Sequence, residues 1–227
     1  MDEFLSQSTY WALLLTVAAY QLGLFLRKKT KSALFHPIVV SAAVIVPLLL
    51  LTGIPNETYQ TGMKSTSWLL TPCTVCLGIP LYTKLNKLRQ HLGAILIGVA
   101  AGTVASMLLV WGMCVLFGLD QTMTVTLLPK SVTSAMAQPL VESVGGYASL
   151  TTAVVVITGV LGSVLGPLLC KLLRLKTDIS RGVALGTASH VVGTVKASEM
   201  SELTGAVSSL SLVVAGVLTA IAFSFLG

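Results

Sequence analysis

Residues 182–202 read GVALGTASHVVGTVKASEMSE. The stretch is apolar enough to sit at membrane depth, yet it carries Thr187, Ser189, His190, Thr194, Lys196 and Glu199. Gly182, Gly186 and Gly193 interrupt it, and each glycine in a regular helix costs about 1 kcal/mol relative to alanine. An unbroken lipid-facing span would not be written this way. Ionisable side chains at membrane depth are costly and face a protein interior or a wet cavity, so a substrate is expected to meet the protein here.

The composition sets the surroundings of that stretch. Of 227 residues, 54% are hydrophobic and 10% are charged, against about 25% charged in a soluble domain. The chain therefore reads as an all-α integral membrane protein. Since a spanning helix takes about 20 residues, no length remains for a sizeable aqueous domain, and the chain is not expected to be an enzyme. The net charge of +6 is gathered in short loops beside apolar segments, which is the positive-inside pattern and not a nucleic-acid surface. Four cysteines in apolar surroundings indicate no disulfide framework. Cys73 and Cys76 have redox or zinc spacing, but no second pair and no histidine near in sequence accompanies them, so neither a metal nor another cofactor is expected. Asp2 and Glu3 stand where a signal peptide has a basic start, so the first apolar run is expected to remain as a span.

Charge then orders the spans. The first, over residues 9–26, is followed by Arg27, Lys28, Lys29 and Lys31, which puts that loop in the cytoplasm and the N-terminus outside. Spans follow over residues 37–54, 67–82 and 92–117; the third is broken by Pro72, Gly78 and Pro80 and ends at Lys84, Lys87 and Arg89. A span over residues 150–173 ends at Lys171, Arg174, Lys176 and Arg181 and must start outside. Residues 124–146, TVTLLPKSVTSAMAQPLVESVGG, therefore enter and leave by one face. That is a re-entrant hairpin, tolerated only where protein buries it or it lines a cavity. Residues 182–202 are expected to cross outward and residues 206–225 to return, leaving the C-terminus inside. The expectation is one membrane domain over residues 1–227 with about seven spanning helices and one hairpin. Residues 37–117 and 150–226 each read long, interrupted, long, in opposite directions. They form an inverted-topology repeat whose two interrupted helices meet near the midplane.

Two groups of residues can hold an anion there. Pro129 breaks the hairpin beside Lys130, Ser131, Thr133 and Ser134, and an ammonium with hydroxyls and free helix N–H groups suits a carboxylate. Lys130 can equally snorkel to an interface. Thr187, Ser189, His190 and Thr194 complete the site from the later segment, with Thr71 and Thr74 from the third. His190 can bind substrate, carry a proton or hold the bundle by a hydrogen bond, and its ordinary pKa near 6.5 suits a proton-linked switch. Glu199 is the second candidate for coupling, but it stands three residues from Lys196 and is able to pair with it. The spacings Gly98/Gly102, Gly162/Gly166 and Gly182/Gly186 serve either internal packing or self-association.

The same residues carry a resemblance. Thr52-Gly-Ile54, Tyr59, Ile79-Pro-Leu-Tyr82, Leu127-Leu-Pro-Lys-Ser-Val-Thr133, Gly145-Gly146, Thr158-Gly-Val-Leu-Gly162 and Leu185-Gly-Thr-Ala-Ser-His-Val-Val-Gly-Thr194 resemble the LrgB/CidB family over nearly the whole chain. The resemblance implies a multi-pass protein of the bacterial cytoplasmic (inner) membrane. Members were named as antiholin-like or holin-like regulators of murein hydrolase export and autolysis, acting with a small LrgA/CidA-type membrane partner. Related members transport small monocarboxylates: pyruvate in bacteria, glycolate and glycerate in the plastid envelope. Where the family often continues the hairpin motif as Thr-Thr-Pro-Ile-Ala, this chain has Thr133-Ser134-Ala135-Met136-Ala137, and the absent proline weakens the assignment of Ser134. The reading is a secondary transporter of a small organic anion, with a holin-like or antiholin-like regulator as the alternative. Its expected partners are the anion, membrane lipid and the small LrgA-type protein.

Overall fold

Helix ends fall where the sequence punctuates them, in a computed structural model that describes residues 10–30, 35–69, 72, 75–76 and 78–226. Contacts divide the chain into two units, Met1–Cys76 and Leu77–Gly227. The first unit contains α1 (Tyr10–Thr30), α2 (Pro37–Thr52) and α3 (Asn56–Ser67). Pro37 opens α2, where its missing N–H costs little, and Gly53 closes it in the left-handed conformation at φ 68°. Helix α3 is a polar helix. Its Tyr59 hydroxyl meets Thr16 Oγ1 at 2.6 Å and its ring packs edge-on to Trp11, so tertiary contacts hold it to α1. Thr71, Thr74 and Cys73 lie outside the described residues, and with them part of the expected third span.

The second unit runs α4 (Gly78–Thr83), α5 (Leu85–Gln90), α6 (Leu92–Leu116), α7 (Gln121–Leu127), α8 (Ser134–Ser143), α9 (Ala148–Leu172), α10 (Asp178–Met200) and α11 (Glu202–Phe223). Among the described residues, α1, α6, α9 and α11 are long and apolar enough to cross a membrane, and α2 is a shorter apolar helix. Helices α7 and α8 form the expected hairpin. Asp120 caps α7 by accepting from the Met123 N–H at 2.8 Å, and the chain turns over residues 128–133. Thr126 fastens the hairpin to the start of α9: its Oγ1 accepts from the Tyr147 N–H and its carbonyl from Thr151 Oγ1, both at 2.9 Å.

Helix α10 departs from expectation. A continuous helix of its 23 residues would be about 34 Å long, yet Ser201 Oγ, just past its last residue, donates to Asp178 Oδ2 at its first, 3.0 Å away. The chain doubles back at Ser189 (φ −135°, ψ 19°) and His190 (φ 40°, ψ −138°). A Cβ on Gly193 would lie 2.7 Å from the Leu185 carbonyl, a contact between the two facing halves. The expected outward span is therefore a second re-entrant hairpin.

That hairpin also reverses the direction of α11. Glu202, at the start of α11, pairs with Lys84 at 2.6 Å, and Leu203 packs with Leu88 and Ile179 in one cluster. At the other end Phe223 packs with Val110 and Cys114 of α6. Helices α6 and α11 thus run parallel, and α11 ends away from the basic Lys84–Arg89 stretch. If that stretch is cytoplasmic, as the charge rule expects, the C-terminus is expected outside, whereas the sequence reading expects it inside.

The glycine pairs serve packing within the chain. Gly98 and Gly102 face Val183 and Thr187 of α10, Gly162 and Gly166 face Ser189 and Leu185, and Gly182 and Gly186 face α11. A Cβ on Gly186 would strike the Ser208 carbonyl and come 2.9 Å from its Cα. Because backbone cannot rotate aside, Gly186→Val is expected to cost more than the roughly 1–3 kcal/mol of ordinary overpacking. Gly112, with nothing within 4 Å of an added Cβ, is the control. Thermal melting in detergent should fall far more for Gly186→Val than for Gly112→Val; equal losses would contradict the hairpin packing.

Candidate functional site

The two hairpin tips approach each other midway along α6. At the first, Pro129 has no N–H to continue α7, and the chain turns with the Lys130 N–H on the Leu127 carbonyl at 3.2 Å. The turn directs Lys130 inward, half-buried. Its Nζ donates to Ser131 Oγ at 3.0 Å and to Ser106 Oγ of α6 at 3.4 Å, and the two hydroxyls lie 3.3 Å apart. The ion pairs among the described residues join Lys84 to Glu202, Arg181 to Asp178 and Lys196 to Glu199. None of them gives Lys130 a carboxylate.

The second tip is braced by α9 and α11. His190 Nε2 lies 2.9 Å from the Val155 carbonyl, which only accepts, so that nitrogen carries the proton. The ring fits because position 159 is glycine; a Cβ there would lie 2.5 Å from His190 Cε1. Ser189 lies over Gly162 in the same way. Thr194 Oγ1 donates to the His190 carbonyl and meets Ser208 Oγ of α11, each at 2.9 Å. A non-glycine residue at positive φ costs roughly 1–3 kcal/mol, and these bonds offset it. The Thr158–Gly162 motif is thus the socket that lets α10 turn back.

A small cavity lies between the tips. Thr103, Ser106, Pro129, Ser131, Thr187 and Thr219 contribute to its wall, and at about 10 Å³ it has room for about one water-sized group. Beside it a groove of about 570 Å³ runs between α6 and the first half of α10. Ala94, Gly98, Gly102 and Ser106 form its α6 wall at every fourth residue, and it extends to Leu175 and Thr177 at the basic loop before α10. Ser106 and Thr187 belong to both spaces.

The structure therefore gathers Lys130, Ser131 and Thr187. Ser189, His190 and Thr194 hold the second tip in shape. Thr133 is the residue before α8 and Ser134 its first; both are partly buried, and neither lines the cavity. Glu199 bonds Lys196 at 2.6 Å on an exposed part of α10, away from the tips. Sequence reasoning does not reach Ser106 and Thr103. Their signal is that Ser106 continues the Gly98/Gly102 spacing by one more turn, a spacing that reads as packing until a polar group ends it.

Comparison with known proteins gives the same assignment as the motifs. Residues 16–227 match the LrgB-like family. The chain belongs to that family. The LrgB-like chain is 33% identical over 217 residues to the antiholin-like protein LrgB of Bacillus mycoides, covering 95% of this chain and 94% of the relative. The antiholin-like LrgB proteins of Bacillus cereus and Bacillus anthracis match to the same extent. No solved structure matches. The LrgB-like chain is accordingly a multi-pass membrane protein of a family named antiholin-like, which is not known as a family of enzymes.

Proposed function

We propose that the LrgB-like chain carries small monocarboxylates, of the pyruvate, glycolate and glycerate class, across the membrane. The observation that carries this reading is the Lys130 ammonium between two hairpin tips, hydrogen-bonded to hydroxyls and joined to no carboxylate among the described residues. A buried charge without a counter-charge is costly, and a carboxylate supplies both the charge and a charge-assisted hydrogen bond. One cation matches one negative charge, which favours a monoanion over a dianion. Hairpin tips meeting at mid-depth from opposite ends suit alternating access, in which one bundle moves against the other around a fixed site.

The second reading is an antiholin-like regulator of murein hydrolase export, favoured by the antiholin-like name of the relatives. It calls for a small LrgA-type membrane partner and self-assembly but has no use for a cationic site at mid-depth. Uptake of labelled pyruvate, glycolate and lactate into proteoliposomes, with and without such a partner, separates the two. A carrier gives saturable uptake that unlabelled substrate competes away. Indiscriminate leakage of a dye, or no uptake under either condition, would reject the carrier in favour of the regulator.

A further inference from the structure

Two hydroxyls in the cavity have no partner among the described residues. Thr103 Oγ1 of α6 and Thr187 Oγ1 of α10 are both buried and unbonded, at 6% exposure for each residue. A helical threonine ordinarily returns its hydroxyl to the carbonyl four residues back. Thr219, on the same cavity wall, does so with Ala215 at 2.7 Å, and Thr126 does so with Thr122 at 2.6 Å. An unsatisfied buried hydroxyl costs about 1–3 kcal/mol, so two of them facing one small space beside an ammonium mark a place meant for an acceptor. A third such hydroxyl, on Ser209, does not line the cavity.

The cavity alone is too small for a three-carbon acid, but it adjoins the groove, with Ser106 and Thr187 lining both. An oxygen-sized head fits the cavity while the rest of the molecule stays in the groove. The groove's α6 wall is narrow-sided, Ala94, Gly98 and Gly102, and hydroxyls of Thr177 and Ser180 stand at its far end. Arg181 lies beside that end, its Nε on the Leu175 carbonyl at 2.9 Å.

We propose that Thr103 and Ser106 of α6 complete the anion site with Thr187, and that the anion reaches them along the α6–α10 groove from the end that carries the Arg174–Arg181 loop. The inference rests on the carrier reading and adds to it the third wall of the site and the side from which it is open. The ligand then touches α6 and both hairpins at once, so its binding draws the tips together.

Two experiments test this. With wild-type uptake as reference, Thr103→Val, which keeps shape and removes the hydroxyl, should raise the KM for pyruvate about tenfold, and Thr103→Ser should restore it. Unchanged KM in Thr103→Val at equal folded amount overturns the assignment while leaving the carrier standing. Independently of transport, Ala184→Cys in a chain whose native cysteines are serine should react with a sulfonated, membrane-impermeant thiol reagent. Reaction is expected from the Arg174–Arg181 face and should be slowed by pyruvate. No reaction from that face, or reaction that pyruvate does not slow, overturns the route whether or not the wild type transports.

Discussion

Lys130→Met leaves a folded, inserted protein that no longer takes up pyruvate or glycolate. Methionine keeps nearly the length of lysine and loses the charge and all three donors. Truncating one partner of a buried charge pair costs roughly 2–5 kcal/mol, and about 3 kcal/mol is more than a hundredfold in affinity. Stability should move the other way. Without substrate, the ammonium is bonded to the hydroxyls of Ser106 and Ser131 and carries its desolvation penalty with no carboxylate among the described residues to offset it. The melting temperature of the ligand-free variant should therefore equal or exceed that of the wild type. A structural tether would show the reverse, a lower melting temperature with transport kept in proportion to folded protein. Normal uptake by Lys130→Met would remove the site assignment.

A protease-sensitive tag appended to the C-terminus is cleaved from outside intact spheroplasts, whereas the same tag inserted between Arg174 and Thr177 is protected until the membrane is opened. The expected result is all or none, because it depends on the sense of one turn. Asp178 and Ser201 are hydrogen-bonded and Glu202 pairs with Lys84, so both ends of α10 and the start of α11 share the end with the basic loops. Helix α11 then crosses to reach Phe223, beside Val110 and Cys114. The contrast between the two tags does not depend on which face is cytoplasmic. Equal protection of both would require α10 to span and would break the Asp178–Ser201 and Lys84–Glu202 contacts.

The first hairpin was legible because local signals and the charge pattern agreed. Pro129 and Pro139 rule out a regular span, and the basic ends of the flanking helices leave the chain no choice but to return to the face it entered. The second hairpin was hidden by its composition. Residues 178–200 are long enough to cross, and the reversal falls at Ser189 and His190, with no proline and with histidine at the positive φ where glycine is the ordinary choice. That bend is stabilised from elsewhere in the chain, by the Val155 carbonyl, the sockets at Gly159 and Gly162, and Ser208 on Thr194.

By itself the sequence determined that the chain lives in a membrane, that residues 182–202 are interrupted there, and that Lys130 stands at a helix break. Hydropathy, charge and helix-breaking are local properties, and they are written in order along the chain. Only the tertiary structure decided that the interruption is a reversal, that α11 runs parallel to α6, that Ser106 meets Lys130, and that Thr103 lines the cavity between the tips. A break in a helix costs the same whichever way the chain continues. Its direction is chosen by the surfaces that bury the two halves, and those surfaces belong to α6, α9 and α11, brought together from distant parts of the chain.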